Sequence, residues 1–99
     1  MIAVTALLRA KRGAEDELAR VLRELTRRVR ESEPRCLLYQ AAQSQHERQL
    51  YLVFERYADE EALAAHANSA HVRDATPALM ACLEDRPQIA LFEELESVE

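Results

Sequence analysis

Residues 55–71 read Glu-Arg-Tyr-Ala-Asp-Glu-Glu-Ala-Leu-Ala-Ala-His-Ala-Asn-Ser-Ala-His, and the rest of the chain is arranged around them. Glu55, Arg56 and Tyr57 close an apolar run that opens at Leu50. In that run Leu50, Leu52 and Phe54 alternate with Tyr51, Val53, Glu55 and Tyr57, the period of two that marks a strand. Asp59 carries the short acceptor side chain of a helix N-cap. Glu60 and Glu61 put negative charge in the first turn, where the helix dipole favours it. The pattern predicts a short helix through His66, with Ser69 as a second cap just ahead of His71. Glu55, His66 and His71, of the side-chain types most used to move protons or hold metals, therefore sit on neighbouring elements.

Upstream, Cys36 to Gln43 is a second apolar run, and the polar residues 44–49 separate it from Leu50 as the tip of an antiparallel hairpin. His46 lies in that tip and is expected in solvent. Ala14 to Ser32 is the clearest helix, because Leu18, Val21, Leu22, Leu25 and Val29 fall on one stripe. Glu15, Asp16 and Glu17 open it and Arg27, Arg28 and Arg30 close it, which complements the dipole. Pro34 stops the helix and pushes Glu33 toward an extended conformation. Met1 to Ala10 is apolar on both faces and predicts a strand covered on two sides, with Gly13 as the turn out of it. Downstream, Val72, Ala75, Leu79, Met80 and Leu83 have helical spacing, and Pro77 should kink that helix or start a new turn. After Pro87 a last strand is expected on Ile89, Leu91 and Leu95, with Phe92 opposite. The order is an α+β, ferredoxin-like β-α-β-β-α-β plait, one antiparallel four-stranded sheet with helices on one face.

Ninety-nine residues suit a single domain spanning 1–99. A net charge of -5 argues against a nucleic-acid surface. The arginines at 20, 23, 27, 28 and 30 are interleaved with acids and predict a solvated helix face. Cys36 and Cys82 lack the spacing of a zinc or disulfide framework, and no apolar run approaches a membrane span. A reduced, cytoplasmic protein is expected.

Two helices cover only one face of a four-stranded sheet. Ala3, Thr5 and Leu7 oppose Ile2, Val4, Ala6 and Leu8, so an apolar face would meet water in a monomer. The pattern predicts a homodimer with sheets packed face to face.

Four segments then carry a family resemblance: Pro34 to Tyr39, Tyr51 to Tyr57, Asp59 to His66, and Ser69-Ala70-His71. In that order and spacing the chain resembles the antibiotic biosynthesis monooxygenase (ABM) domain over nearly its whole length. The resemblance implies a dimeric α+β barrel of ferredoxin-like protomers. It implies a range of activities: oxygenation of anthrones or quinols without metal or flavin, haem degradation, action on small signalling metabolites, or none known. The haem-degrading branch uses an Asn, a Trp and a His. This chain has no Trp, which disfavours it. The family usually has Gly where Arg35 stands. Glu55, His66 and His71 match its recurrent Glu and His and are carried over as candidate catalytic residues.

For Glu55 the alternatives are a salt bridge or hydrogen bond to Arg56, Arg73 or a helix N-terminus, or a carboxylate that orients His66. His66 either donates to backbone carbonyls or takes a proton from a phenolic or enolic substrate. His71 looks the more exposed of the two, with capping or solvation as its alternative. No metal site is expected, because residues five apart across a helix break do not share one helix face. Tyr51, Tyr39, Phe54 and Phe92, with Tyr57, would line a pocket for a planar molecule, or else form sheet core. The expected function is a cofactor-independent monooxygenase acting on a small aromatic, quinol-like or enolisable substrate. The alternative is a small-molecule-binding or stress-response dimer without chemistry.

Overall fold

Tyr57, Leu18 and Val29 are the largest wholly buried side chains, and they mark where helix meets sheet. The computed structural model describes residues 1–98. The elements are β1 (Ile2–Arg9), α1 (Glu15–Ser32), β2 (Cys36–Gln43), β3 (Leu50–Tyr57), α2 (Glu60–Ala67), α3 (Ala70–Cys82) and β4 (Gln88–Glu93). The four strands form one antiparallel sheet in the order β2-β3-β1-β4. This is the ferredoxin-like arrangement expected from the pattern, with the second helix divided in two.

The two central strands, β1 and β3, send alternate side chains to the helices. Val4, Ala6 and Leu8 of β1 and Tyr51, Val53, Glu55 and Tyr57 of β3 are buried on that side, under Leu18, Val21, Leu22, Leu25 and Val29 of α1. Gly13 takes a φ of +91° in the turn between β1 and α1, a conformation that a side chain would penalise. The arginines of α1 pair along its outer face, Arg20 with Glu17 and Arg27 with Glu24 and Glu31, as a solvated face requires.

The other sheet face is bare. Register places Thr5 beside Phe54, Leu7 beside Leu52 and Ala3 beside Phe92. Of these, Leu7 is 36% exposed, Leu52 39% and Phe92 53%. Arg56 lies on this face too, held by Glu94 at 2.7 Å, so it is not the partner of Glu55.

The last strand is shorter than expected. Leu95 lies beyond β4, which ends at Glu93, and is 95% exposed; past Glu93 the Glu94 N–H still donates to the Met1 carbonyl at 3.0 Å, and the ladder with β1 ends at the Ile2–Glu93 pair. Pro77 lies inside α3, which runs through it from Ala70 to Cys82. Its missing N–H removes the i to i−4 bond to the carbonyl of Arg73, and both residues lie on the exposed side, where solvent can reach that carbonyl.

Candidate acid–base site

Three local features build the site. Pro34 does to Glu33 what the sequence predicts: Glu33 caps α1 at φ -123° and ψ 82°, with its N–H bonded to the Val29 carbonyl at 2.9 Å. Leaving the helix turns its side chain inward, under α2 and α3. Asp59 caps α2 by accepting from the Ala62 N–H at 2.9 Å. Ser69 joins the next two helices, since its hydroxyl donates to the His66 carbonyl at 2.7 Å and accepts from the Val72 N–H at 3.3 Å. The chain bends at Asn68 and Ser69, and His66 and His71 come to lie with ring centroids 6.4 Å apart.

Both imidazoles converge on Glu33. His66 Nδ1 is 2.9 Å from Glu33 Oε2 and His71 Nε2 is 2.5 Å from the same oxygen. An ionised carboxylate only accepts, so both of these ring nitrogens carry protons toward it. In neutral His66 the lone pair is then on Nε2, which faces Glu55 Oε1 at 3.8 Å. Glu55 takes its direct hydrogen bond from the Tyr57 hydroxyl at 2.5 Å. Burial pushes the Glu55 carboxyl above the usual carboxylate range, and the Tyr57 hydrogen bond offsets part of that rise. Burial also raises the phenols of Tyr39 and Tyr57, so both rings stay neutral. These two rings flank His66, with centroids 5.5 Å and 5.3 Å away. The arrangement is a buried imidazole hydrogen-bonded at one nitrogen to the Glu33 carboxylate, with the other nitrogen facing the Glu55 carboxylate beyond hydrogen-bond distance. It can hold or move one proton at His66 Nε2.

The structure brings Glu55, His66, His71 and Tyr39 together and places the other candidates elsewhere. Tyr51 shares the strand face of Glu55 but lies four residues up β3, about 13 Å at strand rise. Its hydroxyl donates to the Glu15 carbonyl at 2.8 Å. Phe54 and Phe92 sit on the bare sheet face. His71 is not the exposed member of the pair, as it is 7% exposed and turned in to Glu33. Glu55 does not hold His66 at hydrogen-bond distance; Glu33 does.

Glu33 is the residue that sequence reasoning passed over. Its signal was present in a glutamate fixed at a helix end by the following proline, but nothing in the spacing tied it to histidines 33 and 38 positions away. A cavity of about 320 Å³ lies beside the cluster, lined by Glu33, Arg35, Cys36, Glu61, Ala62 and Ala65 among others. It reaches the cluster through Glu33, and neither His66 nor Glu55 is among its lining residues.

The model of the antibiotic biosynthesis monooxygenase family matches residues 1–78. The chain belongs to this family. A Caulobacter crescentus protein is 30% identical, with TM-score 0.91, covering 96% of this chain and 90% of its own. A Pseudomonas aeruginosa protein is 28% identical at TM-score 0.87, covering 96% and 94%. A Mycobacterium tuberculosis protein shares the fold at TM-score 0.90 with 22% identity, over 99% and 98%. No curated protein matches the sequence. Among the described residues no helix of this ABM protein is long and apolar enough to cross a membrane.

Proposed function

We propose that this ABM protein is a cofactor-independent monooxygenase of small quinol-like, anthrone-like or enolisable molecules. The observation that carries this reading is the buried His66 ring, anchored at Nδ1 by Glu33 with Nε2 left as the base. Proton removal from a phenol or enol by Nε2 gives an electron-rich anion, which reacts with dioxygen without a bound metal or flavin. Glu33 stabilises the imidazolium formed, because its carboxylate already accepts the Nδ1 proton. Tyr39 and Tyr57 supply flat walls beside the base. A homodimer closed through the bare sheet faces would bury Leu7, Leu52, Phe54 and Phe92, which places these aromatics at the interface.

Dioxygen uptake with an anthrone or a quinol tests the reading. His66→Ala should remove at least about 99% of the rate, a loss in line with that of a positioned base. Equal rates in wild type and variant would sink the assignment. A second reading, a binding protein without chemistry, draws on the close packing around His66 and on a cavity that meets the cluster only through Glu33. It predicts saturable ligand binding with no oxygen uptake in the wild type.

A further inference from the structure

We propose that Glu33, His66 and His71 form a binding site for one divalent first-row transition-metal ion, and that its occupancy disables the His66 base. The three donors come from three elements: the C-cap of α1, the end of α2 and the first turn of α3. Spacing along the chain weighed against a metal because the two histidines cannot share a helix face. The bend at Ser69 removes that objection by putting them on two helices aimed at one carboxylate.

One ligand atom from each residue lies within 4.8 Å of the others. The carboxylate oxygen is 2.9 Å from one nitrogen and 2.5 Å from the other. Ligands held about 2.0–2.2 Å from a zinc-like ion stand roughly 3–3.5 Å apart, so side-chain shifts of up to about 1 Å would bring the three donors to that spacing and leave a fourth position for water. Two imidazoles and one carboxylate suit zinc, cobalt, nickel or ferrous iron, not magnesium or calcium, which prefer oxygen alone. All three side chains are 9–12% exposed, and Pro34 and Ser69 hold their backbones in place. The donors are thus gathered before any ion arrives, and the cavity lined by Glu33 gives it a route in.

The inhibitory consequence follows from proton placement and rests on the role proposed for His66; the binding itself does not. Coordination needs lone pairs at His66 Nδ1 and His71 Nε2, the nitrogens that donate to Glu33 in the metal-free protein. A neutral His66 ring must then carry its proton on Nε2, with no net gain or loss of charge. That N–H points at Glu55, 3.8 Å away, which becomes the outer carboxylate that metal-bound histidines usually have. The lone pair that would take a substrate proton is then gone.

The test is titration of chelator-treated protein with Co²⁺, read by visible d–d absorption, and with Zn²⁺, read by calorimetry and thermal melting. One ion should bind per chain and raise the melting temperature. Glu33→Gln and His71→Ala should each weaken binding at least about tenfold, while His46→Ala, in the exposed hairpin tip, should leave it unchanged. Circular dichroism of the metal-free variants confirms that they are folded. Absence of saturable binding, or loss of binding in His46→Ala with none in the other two, overturns the site. If Zn²⁺ binds as described but oxygen uptake is undiminished, the inhibitory role is overturned and the metal site stands. If Zn²⁺ does not bind while His66→Ala abolishes uptake, the site is overturned and the base is upheld.

Discussion

Individual side chains at the site are set by what burial costs them. Glu55 lies on a strand face that is otherwise apolar, and a buried carboxyl without a partner is destabilising. The Tyr57 hydroxyl is that partner, at 2.5 Å. Tyr57→Phe keeps the ring in the core and strips the hydrogen bond from Glu55, so we expect a loss of about 1–3 kcal/mol, measured by urea denaturation. Cys36 offers a second test. Burial, with the negative charge of Glu33 nearby, pushes its thiol up to about 11. Only the thiolate attacks an alkylating reagent, so at about pH 8 its reaction with iodoacetamide should be roughly a hundredfold slower than that of a free thiol. The rate should climb as pH rises toward that value, followed by mass spectrometry. A fast reaction at neutral pH would show that the thiol is not held in its half-buried pose beside the Leu38 carbonyl.

Among the elements, the α2–α3 pair matters most, because two caps aim two histidines. Asp59 accepts the Ala62 N–H, and this bond, aided by Arg35, holds its carboxyl below the usual aspartate range. A lowered folded-state pKa means the stabilisation is complete above the unfolded value of ~3.9 and is lost as pH falls through the lower folded value. Asp59→Ala should therefore lower the melting temperature near neutral pH and make progressively less difference as the solution is acidified below ~pH 4. Asp59→Asn should keep most of the capping, since an amide oxygen also accepts. Equal melting of the alanine variant and wild type at neutral pH would show that the cap contributes nothing. Both caps were legible from Asp59 and Ser69 as residues. The direction in which the break at Ser69 turns the chain was not, because it depends on the hydroxyl reaching back to the His66 carbonyl.

At the level of the whole molecule, the bare sheet face is where we expect a second copy to pack. Leu7, Leu52 and Phe92 share it, and large apolar side chains left in water favour a second copy. We expect a dimer by light scattering, and Leu52→Arg should raise its dissociation constant at least about tenfold, because a desolvated, unpaired charge at an interface costs more than 1.4 kcal/mol. An unchanged dimer in that variant would place the contact elsewhere. Residue pattern alone specified the order of elements, the two opposed faces of β1 and β3 and an apolar excess that two helices cannot cover, since periods of 2 and 3.6 are local properties of the chain; which face turns to the helices came from packing. It also singled out Glu55, His66 and His71. What depended on the folded chain was which of these side chains meet. Glu33 joins His66 and His71 only because α1 ends where α2 and α3 pack. Tyr51 and Phe54, one residue apart in the alternation from plausible neighbours, are sent respectively up the strand and through the sheet. Side-chain encounters across 33 and 38 positions come from packing, and no local spacing encodes them.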